Sequence, residues 1–185
     1  MAPSRRASPD HRRCTFEAVP PGYDSCPPLE AGLDSHYMRL ALDQAHKAAS
    51  KGEVPIGAVL AAADGSLLAS AHNEVEATGD PTAHAEMLCL RRAAGVAPSW
   101  RMPAATLYVT VEPCAMCAGG ALAARLAAVV YGARSPLMGA DGSWVRGGVL
   151  ADECQRLMVE FFRARRRGEV RGPPGAGSPV QREAS

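Results

Sequence analysis

Hydrophobic residues between about positions 34 and 51 recur with helical spacing. Asp34 or Ser35 can cap a helix that runs to about Lys51. Its apolar residues fall three or four positions apart on one face, at Met38, Leu42, Ala45 and Ala49. The spacing predicts an amphipathic helix with one buried face.

Shorter apolar runs farther along the chain have the length of strands. The runs at 56–62 and 67–72 flank Asp64-Gly65, a pair that predicts a β-hairpin. Two further strands are predicted at 106–110 and 128–131. A helix from Pro113 to about residue 125 fits between these two strands. Such a strand–helix–strand unit implies a right-handed crossover and parallel strands.

Two more helices complete the predicted elements. One is capped by Asp80 or Thr82, carries His84 and Glu86 in its first turns and ends near Ala94. A closing amphipathic helix is predicted from residue 151 to about 166. We expect its buried face to contain Cys154, Leu157, Met158, Phe161 and Phe162.

Two short motifs carry the chemistry of this chain. His84 and Glu86 form a His-x-Glu motif, and Pro113 directly precedes Cys114 and Cys117 at Cys-x2-Cys spacing. One imidazole and two thiols make three zinc-type ligands, and a site with only three protein ligands is typical of catalytic zinc. Glu86 need not bind the metal and can carry protons. The combination is a described signature of zinc nucleobase deaminases.

Two other interpretations of the cysteine pair fit the sequence less well. A Cys-x2-Cys pair alone could be a redox dithiol or half of a structural zinc site. A structural site needs a fourth ligand at suitable spacing, and the other cysteines are scattered singly, at Cys14, Cys26, Cys89 and Cys154. Their spacing also indicates a reducing compartment.

Charge and composition limit the partners of the chain. Twenty basic and nineteen acidic residues give a net charge of +1, so any RNA contact must be local. The longest apolar stretch, 114–124, is far shorter than the roughly 20 residues that span a bilayer, so we expect no membrane association. Residues 1–33 and 168–185 are rich in Pro, Gly, Ser or Arg and are predicted to be a disordered leader and tail. The arginine-rich leader is compatible with a transit peptide.

The region between these ends, 34–167, is predicted to be one domain, and its stretch from about Tyr37 to Arg167 resembles the tRNA-specific adenosine deaminases of the cytidine-deaminase-like superfamily. The resemblance rests on four stretches: 53–60 (EVPIGAVL), 80–87 (DPTAHAEM), 105–110 (ATLYVT) and 114–119 (CAMCAG). It implies a three-layer α/β/α fold with a mixed sheet of four to five strands and a closing C-terminal helix. It also implies one zinc ion held by His84, Cys114 and Cys117, and catalysis by Glu86.

Further roles are implied by the same resemblance. Asn73, Ala85 and Arg134 would contact the substrate, and the Asn73 amide can act as both donor and acceptor. The end of the last helix carries arginines that could hold RNA phosphates, among them Arg163, Arg165, Arg166 and Arg167. On charge alone, a solvated helix end that complements the helix dipole explains these arginines equally well.

The chain departs from the family pattern at three places. Ser135 follows Arg134 where bacterial members usually have an acidic residue. Gly120 stands where Ala is usual, and glycine inside a helix costs up to about 1 kcal/mol. Only residues 144–148 separate Ser143 from the closing element, and five residues reach less than about 20 Å. We therefore expect at most a short fifth pairing, around Val149 and Leu150.

The sequence thus predicts a zinc-dependent deaminase that converts the wobble adenosine of a tRNA, such as an arginine tRNA, to inosine. The alternatives are a deaminase of a free base or nucleoside (guanine, cytosine, cytidine) and a non-catalytic RNA-binding subunit. The expected partners are a tRNA anticodon loop and a second copy of the chain in a homodimer. Residues 141–146 and 99–101 resemble the plastid branch, which favours the chloroplast over the cytoplasm.

Overall fold

The computed structural model describes residues 31–135 and 145–172. Within these ranges the chain forms, in order, α1 (Ala31–Ser50), β1 (Gly57–Ala61), β2 (Leu67–His72), α2 (Val75–Thr78), α3 (Ala85–Val96), β3 (Thr106–Val111), α4 (Ala115–Ala123), β4 (Ala128–Ala133), β5 (Val145–Gly147) and α5 (Ala151–Arg166). The predicted leader and tail lie outside the described residues, apart from 31–33 and 168–172. No helix in the described ranges is long and apolar enough to cross a membrane.

The strands form one mixed sheet in the order β2-β1-β3-β4-β5. β1 is antiparallel to both β2 and β3, which confirms the predicted hairpin. β3, β4 and β5 run parallel to one another, and α4 makes the crossover from β3 to β4. The predicted strand–helix–strand unit is therefore confirmed.

Helices cover both faces of the sheet and create two separate cores. Alternate residues of a strand point to opposite faces, so Leu60 packs on the side of α3 and α4 while its neighbour Val59 packs on the side of α1 and α5. Every residue of β1 and β4 is buried, as expected for strands covered on both faces. This arrangement confirms the predicted three-layer α/β/α architecture.

The first helix begins earlier than predicted and uses Asp34 differently. α1 starts at Ala31, so Asp34 lies inside the helix rather than at its cap. Asp34 is buried, accepts a hydrogen bond of 2.7 Å from the Tyr108 hydroxyl, and lies 3.6 Å from the Arg146 guanidinium. The sequence pattern could not show these partners because both belong to distant strands.

A short fifth strand is present, as predicted, but at a different position. β5 comprises three residues, Val145–Gly147, whereas the pairing was expected around Val149 and Leu150. Two side-chain contacts accompany the pairing of β5 with β4. Arg146 reaches Asp34, and Gly147 lies against the Tyr131 ring, where an added Cβ would come within 2.1 Å of the ring.

Gly120 lies on the face of α4 that packs against α3. A Cβ at this position would lie 2.8 Å from Met87 Sδ and 3.3 Å from Leu90 Cδ1. These are the flexible ends of two side chains on α3, so a small shift of Met87 would make room for alanine at this position.

The buried face of α5 is narrower than predicted. Cys154 and Phe161 are buried, and Leu157 and Met158 are half-buried. Phe162 was predicted to be buried, but its side chain is 37% exposed. Phe162 directly follows Phe161, so the helical turn points its ring away from the sheet and edge-on to the Phe161 ring.

Candidate active site

The two metal motifs lie where two helices begin. α3 starts at Ala85 and α4 at Ala115, so His84 and Cys114 each occupy the residue before a helix. Both have extended backbones, with φ/ψ of −69°/149° and −73°/168°. His84 was predicted to lie in the first turn and Pro113 to open a helix. The predicted cap of α3, Asp80 or Thr82, lies two to four residues before the observed one, and the predicted start of α4 lies two residues too early. The two candidate ligands themselves take the capping positions.

The three predicted ligand atoms form a compact triangle. The Sγ atoms of Cys114 and Cys117 lie 3.6 Å apart, and His84 Nδ1 lies 3.7 Å from the first and 3.5 Å from the second. Tetrahedral zinc with bonds of about 2.3 Å to sulfur and about 2.0 Å to nitrogen needs about 3.8 Å between the two sulfurs and about 3.5 Å between nitrogen and sulfur. The donor set therefore fits a zinc ion and leaves one coordination position open.

Electrostatics at the triangle favour a bound cation. Burial raises the pKa of the Cys117 thiol well above its ordinary value, and Glu86 and Cys114 act in the same direction. Two helix N-termini contribute only partial positive charge. A divalent cation is the group that can hold both sulfurs as thiolates in this position.

Glu86 lies beside the ligands but outside the triangle. It sits in the first turn of α3 and is 3% exposed. Among the described residues its Oε2 has no hydrogen-bond partner. Burial raises the pKa of its carboxyl group, while the nearby His84 acts in the opposite direction. A buried carboxyl with a raised pKa and an unpaired oxygen is suited to accepting and returning a proton.

The loop after β2 brings Asn73 towards this site. Asn73 is 4% exposed, and the backbone NH of the next residue, Glu74, donates to the carbonyl of Ala83 at 3.0 Å. The strand end therefore runs along the segment that enters the His84 motif. Ala85 is fully buried at the start of α3.

Sequence reasoning missed Glu53 as a functional residue. Its carboxylate is fully buried and holds the Asn73 side chain at 3.2 Å. The sequence contains two signals: a charged residue at the edge of an apolar run, and its place as the first residue of the stretch 53–60 that resembles the family. Neither signal reveals the partner of the carboxylate.

Arg134 lies at the same end of the sheet. It is exposed and directly follows the C-terminal end of β4. The next residue, Ser135, donates its backbone NH to the buried Glu112 carboxylate at 3.0 Å. Glu112 thus anchors the segment that carries Arg134 close to the Cys114 motif.

The arginines at the end of α5 differ in their surroundings. Arg165 lies 3.5 Å from Glu76, which belongs to the short helix that follows Asn73. Arg167 forms two hydrogen bonds with Glu169, at 2.5 and 2.8 Å. Arg163 and Arg166 are exposed. The structure therefore brings the end of α5 next to the loop of Asn73, with two arginines already engaged by acids.

Residues 32–133 match the model for the cytidine and deoxycytidylate deaminase zinc-binding region. The chain belongs to this zinc-binding deaminase family. It is 42% identical over 148 residues to the tRNA-specific adenosine deaminase of Bacillus subtilis, covering 72% of this chain and 91% of that protein. Within the family, the chain belongs with the tRNA-specific adenosine deaminases.

Two further comparisons agree with this family assignment. The chain is 42% identical over 163 residues to the chloroplastic tRNA(adenine(34)) deaminase of Arabidopsis thaliana, but spans only 12% of the length of that protein and 72% of its own. A solved structure from a study of A-to-I editing by tRNA:A34 deaminases has a TM-score of 0.62 and 36% identity, over 66% of this chain and 99% of that one.

Proposed function

We propose that this protein is a zinc-dependent deaminase that converts adenosine to inosine at the wobble position of a tRNA anticodon. The observation that carries the proposal is the zinc-sized triangle of His84, Cys114 and Cys117 with the buried Glu86 beside it. The relatives named as tRNA-specific adenosine deaminases supply the substrate class.

The reaction exchanges the exocyclic amine of adenine for a carbonyl oxygen, and it consumes one water and releases ammonia. His84, Cys114 and Cys117 would hold the zinc. When bound, zinc would lower the pKa of a water molecule and so supply a nucleophile at neutral pH. Glu86 would accept a proton at its buried carboxyl group and return protons to the ring nitrogen and to the departing amine.

The substrate must present its base outside a stack. An anticodon loop is single-stranded, so a base can turn out of it at low cost. Asn73 and Ala85 would contact the nucleotide in the site, and Arg134 would contact its backbone. Arg163, Arg165, Arg166 and Arg167 would contact phosphates farther along the loop, and their position beside the Asn73 loop supports this role.

Three further proposals concern the tRNA species, the cellular location and the assembly of the protein. Arginine tRNA is the proposed substrate species, following the sequence resemblance. The chloroplast is the proposed location, supported by the chloroplastic relative from Arabidopsis. A homodimer is the proposed assembly, supported by the exposed apolar side chains of Val96 and Trp100, 71% and 53% exposed at and after the end of α3.

Inosine mapping tests the proposal directly. Purified zinc-loaded protein is incubated with an arginine tRNA transcript whose wobble base is adenosine, and with the same transcript carrying guanosine there. Free adenosine, cytidine, cytosine and guanine are assayed in parallel. Inosine only at the wobble adenosine supports the proposal. Release of ammonia from a free base or nucleoside, without conversion of tRNA, would show a small-molecule deaminase instead. Tight tRNA binding without any deamination would show a non-catalytic RNA-binding subunit.

A further inference from the structure

Glu53 is a fully buried carboxylate whose hydrogen bonds all go to the loop that carries Asn73. Its Oε1 accepts the backbone NH of Ala77 at 2.7 Å. Its Oε2 accepts the Asn73 side-chain amide and the backbone NH of Glu76, each at 3.2 Å. No cation is among these three donors. Among the described residues, the donors to this carboxylate are therefore amide groups, two from the backbone and one from Asn73.

This contact determines the orientation of the Asn73 amide. Both oxygens of Glu53 act as acceptors, each from a backbone NH, so the group that Asn73 turns towards Glu53 is its amide nitrogen. The carbonyl oxygen Oδ1 lies on the other side of the planar amide and consequently points away from Glu53. A flipped amide would place two acceptors against each other in a buried site, which is unfavourable.

The backbone of Asn73 is held as firmly as its side chain. Its NH donates to the Ile56 carbonyl at 3.0 Å, and its carbonyl lies 2.9 Å from Nδ1 of the buried His72. Glu74 pairs with Ala83 immediately before the metal ligand His84. The amide of Asn73 thus has a fixed position relative to the metal motif.

We propose that Glu53 is a positioning residue that makes Asn73 present its carbonyl oxygen to the substrate. The inference rests on the proposed function, in which Asn73 contacts the flipped nucleotide. Through this contact the site selects a nucleotide that offers a hydrogen-bond donor to Asn73, such as an amine or a ribose hydroxyl. Glu53 acts only through Asn73 and does not touch the substrate.

Exchanging the amide and the carboxylate between positions 53 and 73 tests this role. Asn73→Asp places two carboxylates in contact and should reduce kcat/KM on tRNA at least about 100-fold. Glu53→Gln replaces one of the two acceptor oxygens by an NH2 group, which then faces an NH donor of the loop. This variant should lower kcat/KM on tRNA about 10-fold or more. The double variant Glu53→Gln/Asn73→Asp restores a donor–acceptor pair and still presents an acceptor oxygen to the substrate. It should be at least about 10-fold more active than Asn73→Asp alone.

Controls separate positioning from general damage. Zinc content should stay near one per chain in all variants, and Glu153→Gln, which changes an exposed glutamate on α5, should leave activity unchanged. In an Asn73→Ala background, Glu53→Gln should have little further effect on activity, because no amide remains to be oriented. Where Glu53→Gln does not fold, Glu53→Asp replaces it, and a loss of about 10-fold with full zinc is expected. Wild-type activity in Glu53→Asp would then overturn the proposal.

The outcomes also distinguish this inference from the proposed function. A double variant no more active than Asn73→Asp, in folded and zinc-loaded protein, would refute the positioning role while leaving the proposed function intact. If the wild-type protein converts no tRNA adenosine, the proposed function fails. The orientation of Asn73 by Glu53 is then judged by urea unfolding. A double variant more resistant to urea than Asn73→Asp supports that orientation, and equal resistance refutes it.

Discussion

Sγ of Cys117 and Nδ1 of His84 lie 3.5 Å apart although 33 residues separate them in the chain. The first atom comes from the opening turn of α4 and the second from the residue before α3. Their distance matches a shared zinc ion. It depends on the close approach of two helices over one face of the sheet.

We expect zinc loading to depend on His84, Cys114 and Cys117 and not on the buried Cys89 and Cys154. Only the first three donor atoms form the triangle. Elemental analysis of the single variants Cys114→Ser, Cys117→Ser, Cys89→Ser and Cys154→Ser measures this. Full zinc in Cys114→Ser, or loss of zinc in a folded Cys154→Ser protein, would contradict the assigned site.

Glu86→Gln should keep zinc and lose turnover. The substitution preserves the size of a buried side chain but removes its ability to carry a proton, and general acid–base catalysis typically contributes about 10²- to 10⁴-fold in rate. Single-turnover kinetics on tRNA and zinc content are measured together, with Glu153→Gln as the control. Loss of zinc in proportion to activity would make Glu86 a ligand rather than a proton carrier.

Arg163 and Arg166 should account for more of the salt dependence of tRNA binding than Arg39, an exposed arginine on α1. Each phosphate contact contributes about 0.7 to 0.9 to the slope of log K against log salt. The double variant Arg163→Gln/Arg166→Gln should therefore lower the magnitude of the slope by about 1.4 to 1.8, as measured by titration at several salt concentrations.

The control for this measurement is Arg39→Gln, which should leave the slope unchanged. An unchanged slope in the double variant would assign these arginines to the solvated helix end. Arg165→Gln is expected to change the slope less, because Glu76 already engages Arg165.

Tyr108→Phe should destabilise the fold by about 1–3 kcal/mol, because it removes a donor from the buried Asp34 carboxylate. Tyr37→Phe is the matched comparison. The Tyr37 hydroxyl donates to the carbonyl of Gly65 in the exposed hairpin turn, and its loss should cost only about 0.5–1.5 kcal/mol. Urea unfolding gives both values. Equal losses would mean that the Asp34 contact adds no particular stability.

Alkaline pH should weaken the fold through the buried thiols. Burial raises the pKa of Cys89 to about 12 and that of Cys154 to about 12, against about 8.5 in an unfolded chain. The folded state therefore binds more protons than the unfolded state above about pH 8.5. Stability is fully present below that pH and falls as the pH rises towards 12, by up to about 1.4 kcal/mol per pH unit for each thiol.

Substituting one cysteine measures how much its thiol contributes to the loss of stability at alkaline pH. Cys89→Ala should flatten the decline of unfolding free energy between pH 9 and pH 11 relative to wild type. Tyr108, whose pKa is raised by burial and by Asp34, contributes a decline of the same sign in both proteins and cancels in the comparison. Identical slopes for the two proteins would contradict the raised pKa of Cys89.

Much of the fold could be predicted from local patterns. The hairpin of β1 and β2, the crossover from β3 to β4 and the extent of α5 all follow from short-range spacing of apolar residues and turn signals. The start of α1 and the place of β5 could not be predicted. One contact of β5 joins Arg146 to Asp34 of α1, and these two residues are 112 positions apart and meet only when the sheet is assembled.

The sequence by itself determined the chemistry of the site. Residue types at fixed spacing, His84 with Glu86 and Cys114 with Cys117, are enough to indicate zinc and a proton carrier, because ligand identity is a property of side chains. Tertiary structure alone decided which polar groups support them. The burial of Glu53 and its contact with Asn73 arise from chain segments 20 positions apart, and a buried carboxylate must find its donors wherever the fold brings them.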